Sequence, residues 1–212
     1  IVDALKCHGQ GDTIIKLEQR DHLDLGGHEH EDEHEDTHAS HIDPHVWLDP
    51  ANARAIAYEL AEYMAELDPN HATTYQLNAD KFAAEMLATT HDVETILSSV
   101  GAHKFFVFHD AFQYFENAFD LHASQAVTPS IEQQPGAKRI RQLRSDIKNQ
   151  SIKCVFLEPQ GSAKLIELAV EGSEAKVAEL DVLGLRVEAG PNLYRQVLVN
   201  MATVMKDCLS NP

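Results

Sequence analysis

The chain has 212 residues, 43% of them hydrophobic, enough to bury a substantial core as one domain or two small ones. Its formal charge of −17 at pH 7 argues against nucleic acid and anionic membrane surfaces, which want basic patches, and suits a cationic ligand. No apolar run approaches the roughly 20 residues that span a bilayer, so membrane insertion is not expected.

The chain opens "IVDALKCHGQGDTII", without a basic leader, an apolar stretch or a cleavage site, and no signal peptide is read there. "IVDALK" reads as the end of an amphipathic helix and "GDTIIKL" as a short strand, the later part of a unit that starts upstream. Residues 28–38 then interleave His28, His30, His34 and His38 with Glu29, Glu31, Asp32, Glu33, Glu35 and Asp36, with His41 at the edge of the run. Charged residues without apolar partners cannot fold a packed site. The expectation for about 24–41 is a disordered loop that collects metal weakly through alternative ligand sets, against the plainer reading of a solvated acidic insertion. His45 sits differently. In "DPHVWLDP" it lies between two Asp-Pro dipeptides and beside Val46, Trp47 and Leu48, an apolar surround that limits solvent and strengthens coordination.

Asp49 as N-cap and Pro50 at the first helical position predict a helix ending at Asp68-Pro69, with Ile56, Leu60, Met64 and Leu67 as its apolar stripe. A longer helix follows from about 70 to 100 without Gly or Pro, its apolar positions supplied by Tyr75, Phe82, Met86, Val93, Ile96 and Leu97. From residue 103 the pattern alternates: strand "KFFVF", helix "AFQYFENAF", strand "ASQAVT", helix "AKRIRQLRSDIKNQ", strand "IKCVFL", helix "AKLIELAVEG", strand "KVAEL" and helix "NLYRQVLVNMATVMKDCL". Such alternation predicts parallel βαβ units in an α/β lobe of about four strand–helix repeats.

Ligands of open parallel sheets sit beyond the C-terminal strand ends. There the sequence places His109-Asp110, Glu158-Pro159 and Asp181, one imidazole and carboxylates suited to a divalent cation, zinc by nitrogen ligation or manganese by a carboxylate-rich shell. Glu158 and Asp181 fit a capping or loop role equally well. Cys7, Cys154 and Cys208 form no C-x-x-C pair. Cys154 lies in a strand pattern and Cys208 on the apolar stripe of the last helix with Met201, Val204 and Met205, compatible with two buried thiols or with a disulfide from helix to sheet.

The order "HIDPHVWLDP", long helix, "FVFHDAFQYF", "QQPGAKRIRQLR", "CVFLEPQ", "LDVLG" and a late Cys in the last helix resembles the periplasmic zinc-binding proteins of bacterial ABC-type zinc uptake systems, the ZnuA type of metal solute-binding protein. The resemblance runs from about residue 10 to the C-terminus. It implies a two-lobed α/β fold joined by one long rigid helix: 1–67 as the last part of an incomplete N-terminal lobe, 68–101 as the linking helix, and 102–212 as a C-terminal lobe with a four-stranded parallel sheet. It further implies His45 and His109 as zinc ligands, Asp181 at the position of a carboxylate ligand in manganese-type relatives, a Cys154–Cys208 disulfide, a periplasmic location and an ABC-transporter membrane permease as partner. The protein is expected to be a monomer and not an enzyme. The resemblance places a further ligating His well upstream of the His-rich loop, and neither His8 nor His22 stands in a matching motif. His122 follows "FDL" where some relatives build an auxiliary site, and is a weaker candidate. A manganese-type relative and a zinc buffer or adhesion protein acting through residues 28–38 are the alternatives, while a zinc hydrolase lacks an H-E-x-x-H signature.

Overall fold

The computed structural model describes residues 43–128 and 135–210. The elements predicted before residue 43, Cys7 and the loop histidines His28, His30, His34, His38 and His41 lie outside the described residues.

A 3-10 turn at Val46–Leu48 leads into helix α1 (Pro50–Leu67), where Asp49 caps the N-terminus by accepting the Ala51 N–H and Pro50 holds the first helical position. After a second 3-10 turn at Pro69–His71 comes helix α2 (Ala72–Leu97), 26 residues long and packed along α1. The predicted stripe of α1 is only partly its buried face: Ile56 packs against the core. Leu60 and Leu67 are 57% and 65% exposed, whereas Asn52, Ala55 and Ala61 are buried. The buried positions of α2 include Ala79 and Ala83, so the helix pair meets through small side chains and the larger leucines are left at its flanks.

The rest alternates as expected: strands β1 (Phe105–His109), β2 (Gln125–Thr128), β3 (Cys154–Leu157) and β4 (Lys176–Glu179), with helices α3 (Gln113–Ala118), α4 (Ala137–Asn149), α5 (Ala163–Val170) and α6 (Leu193–Ser210). All strand pairs are parallel and the sheet order is β2-β1-β3-β4. Both faces are covered, which explains why β1 and β3 read as unbroken apolar runs. Phe105, Val107, Cys154 and Phe156 face a core shared with Val93 of α2 and with Leu198, Met201 and Met205 of α6. Phe106, Phe108, Val155 and Leu157 face the other way, against Leu143 and Ile147 of α4 and Ile166 of α5. Cys154 is joined to Cys208 by a disulfide that ties β3 to α6, with 6.2 Å between Cα atoms.

The chain leaves β1 for β2 on one side and later returns to β3 on the other. The switch point therefore opens between the C-terminal ends of β1 and β3, where a doubly wound sheet binds its ligand.

Candidate metal centre

His109 is the last residue of β1. Extending the Val107–Phe156 register brings it opposite Glu158, the residue after β3. Its Nδ1 lies 3.0 Å from Glu158 Oε2. Glu158 is 1% exposed, and its other oxygen accepts the Gln160 amide at 3.3 Å.

His45 reaches the same place from the loop before α1. Asp43, fully buried, accepts both the His45 backbone N–H at 2.9 Å and, through the same Oδ1, a contact of 2.7 Å from the His45 Nδ1. Pro44 between them restricts the turn. The loop is held to the lobe by its neighbours. Trp47 Nε1 donates to the Val182 carbonyl at 3.2 Å, the Tyr194 hydroxyl donates to the Trp47 carbonyl, and Asn52 Nδ2 donates to the Val46 carbonyl at 3.2 Å. Val46 and Leu48 are buried in the core that contains Phe105, Phe156, Leu180 and Val182. Burial pushes the Asp49 carboxyl above its ordinary value, against the pull of the Ala51 and Asn52 N–H groups and the Arg54 charge. Burial likewise raises the Tyr194 hydroxyl, with the negative charge of Asp49 adding to it.

The two imidazole rings stand 5.1 Å apart, centroid to centroid, at an interplanar angle of 71°. Each Nδ1 faces a buried carboxylate. In a neutral ring, a proton on the nitrogen that faces a carboxylate leaves the lone pair on the other nitrogen.

The other predicted positions behave differently. Asp181 accepts the Leu185 N–H at 2.9 Å on one oxygen and the Arg186 N–H at 2.7 Å on the other, closing the turn after β4. Asp110 accepts the Gln113 side-chain amide at 3.0 Å at the start of α3. His122 is exposed beside Asp120, at 3.5 Å. Among the described residues, no group of three or more His, Cys, Asp or Glu side chains is placed to hold a metal ion; His45 and His109 form a pair. The carboxylate that sequence reasoning missed is Asp43. Its signal was the Asp-Pro-His spacing, which lets a carboxylate fold back onto the ring two residues on.

A family model described as "Zinc-uptake complex component A periplasmic" matches residues 2–208. The chain belongs to that family. A Brucella suis protein named high-affinity zinc uptake system protein ZnuA is 44% identical over 168 residues, covering 79% of this chain and 50% of the relative. A Yersinia pestis protein of the same name is 29% identical over 202 residues, covering 92% of this chain and 64% of the relative. Among solved structures, a crystal structure of ZnuA matches with a TM-score of 0.70 and 29% identity, over 80% of this chain and 63% of that one. A zinc-bound ZnuA deletion mutant matches with a TM-score of 0.67 and 30% identity, over 81% and 62%. The chain thus spans about half the length of the first of these relatives. The fold is that of the two-lobed α/β solute-binding proteins, to which the described residues contribute a four-stranded parallel lobe and a long helix.

Proposed function

We propose that this chain takes part in capturing Zn2+ as cargo in the periplasm and delivering it to the membrane permease of an ABC-type uptake system. The observation that carries the reading is the His45–His109 pair at the β1/β3 switch point, 5.1 Å apart, with each Nδ1 against a buried carboxylate. The two Nε2 atoms supply half of a tetrahedral zinc shell, and nitrogen ligation favours zinc over manganese. A further His from the N-terminal lobe brings the shell to three of its four ligands. Asp181 closes the turn after β4 with one backbone N–H on each oxygen, and each oxygen keeps a lone pair for a cation. The histidines of residues 28–38, together with His41, gather zinc. Residues 1–67 belong with the first lobe, 68–101 link, 102–212 form the second lobe, and the protein acts as a monomer without catalytic activity. The names of the Brucella and Yersinia relatives support this reading.

The test is zinc titration of the chain lacking residues 28–38, by calorimetry or against a competing chelator. One site is expected, held in this chain by His45 and His109 and weaker than a site completed by the further first-lobe His. It should weaken by more than about 100-fold in His45→Ala or His109→Ala, beyond the 10–100-fold typical of outer-shell partners. Wild-type affinity in the double variant sinks the reading.

A further inference from the structure

We infer that Asp43 and Glu158 are positioning residues, each fixing the proton of one histidine on Nδ1 so that both Nε2 lone pairs are set for the cation before it arrives. The inference rests on the zinc-capture reading above, but concerns the metal-free protein.

Two features of Asp43 point beyond packing. One oxygen collects both the backbone N–H and the ring nitrogen of His45, while the other, Oδ2, is buried with no hydrogen-bond partner among the described residues. A buried carboxylate with a bare oxygen is costly in a purely structural role, where a neutral group would serve better. Beside an imidazole that binds a dication the charge has a use. It strengthens the Nδ1–H hydrogen bond, raises the basicity of Nε2 and offsets part of the cation's charge. Glu158 does the same for His109 by a different route, across the β1/β3 register rather than within one turn. Its oxygens accept from the His109 ring and the Gln160 amide, so the contact to the ring is already made without a metal. Because one carboxylate acts locally and the other through the sheet, their effects should fall on separate rings.

The test reads the ring protons directly. The chain lacking residues 28–38, with 15N-labelled histidine and no metal, is studied by long-range 1H–15N correlation at about pH 8, above the ordinary histidine pKa of about 6.5. The resonances are assigned by their loss in His45→Gln and His109→Gln. Both rings should be Nδ1–H tautomers. Asp43→Ala should move only His45 toward the Nε2–H tautomer, and Glu158→Ala only His109. Zinc affinity should fall roughly 10–100-fold in each, with Asp43→Asn and Glu158→Gln, which keep an acceptor oxygen without its charge, in between. An Nε2–H ring in the wild type overturns the inference, as do alanine variants with unchanged tautomers or unchanged affinity. If Asp43→Ala fails to fold, the near-isosteric Asp43→Asn decides: unaltered zinc affinity in a variant with wild-type thermal unfolding refutes the role of the charge. Failure of the zinc-capture reading looks different. Tautomers would then respond as described, while zinc affinity ignored His45→Ala and His109→Ala.

Discussion

Reducing the Cys154–Cys208 disulfide should cost about 4 kcal/mol of folding stability. The two cysteines are 54 residues apart in sequence, and the loop-closure relation for a loop of that size gives roughly 14 cal/mol/K, or about 4 kcal/mol at 25 °C. The full effect is expected because the link joins elements already packed together. Cys154 is in a central strand, and Cys208 sits on α6 among residues of the same core as Val197, Met201 and Met205. Urea unfolding of the same protein, oxidised and then held reduced, isolates the crosslink without the cavity that a cysteine substitution leaves. With a slope of about 2–3 kcal/mol/M the midpoint should fall by about 1.3–2 M. Zinc affinity should hold in the reduced protein under native conditions, because Cys154 begins β3 whereas Glu158 lies about 13 Å further along at a rise of about 3.3 Å per residue. A reduced protein within 1 kcal/mol of the oxidised one refutes the loop-entropy account.

Tyr194→Phe removes the hydroxyl that donates to the Trp47 carbonyl, and should cost about 1 kcal/mol in denaturant unfolding while weakening zinc binding through the freed His45 loop. Gly161→Ala would place a Cβ 3.1 Å from the Glu158 carbonyl oxygen and 3.2 Å from the Phe108 ring. The turn that holds Glu158 must then shift, so a loss of about 1–3 kcal/mol in thermal unfolding should come with weaker zinc binding in calorimetry. Burial raises the Asp49 carboxyl above its ordinary 3.8, so the folded state holds that proton more tightly than the unfolded chain. The stability it contributes is complete below pH 3.8 and is lost as pH rises through the raised value. Asp49→Asn keeps an oxygen for the Ala51 N–H without the buried charge, and should match or exceed wild-type stability at pH 7, with its advantage shrinking on acidification. Asp49→Ala should instead lose about 1 kcal/mol, and urea unfolding at several pH values separates the two.

Much of this was legible in the sequence, for identifiable reasons. The βα alternation gave the parallel lobe because unbroken apolar runs such as "FFVF" and "CVFL" have to be covered on both faces. The strand-end rule picked out His109 and Glu158, which the β1/β3 register then sets side by side. The same rule could not assign Asp181, because a carboxylate that closes a turn can also bind a cation, and the Leu185 and Arg186 N–H bonds establish only the first. Asp43 went unflagged because its contact depends on a turn geometry that composition does not encode. The stripe of α1 partly misled because periodicity ranks positions by apolarity, whereas the packing of α1 along α2 buries alanines instead. Cysteine spacing left thiols and a disulfide equally open, and only the packing of α6 on β3 brings Cys154 and Cys208 together.

His45 and His109 are far apart in sequence, so their separation is held by tertiary packing. The loop that carries His45 is anchored less by polar contacts than by Val46 and Leu48, which enter the core between the sheet and α6. Leu48 is fully buried there, and Leu143, on α4, is equally buried in the core on the opposite face of the sheet. Truncating either to alanine should cost about 2–5 kcal/mol, since each leaves a comparable cavity. Their effects on the metal pair should differ. Leu48→Ala loosens the loop at a point three residues from His45 and should lower zinc affinity markedly, whereas Leu143→Ala leaves both imidazoles and their carboxylate partners where they are. Chemical unfolding matched with zinc titration of the two variants measures the contrast. Equal losses of affinity at equal losses of stability would show that general loosening of the lobe, and not the seating of the His45 loop, governs the site.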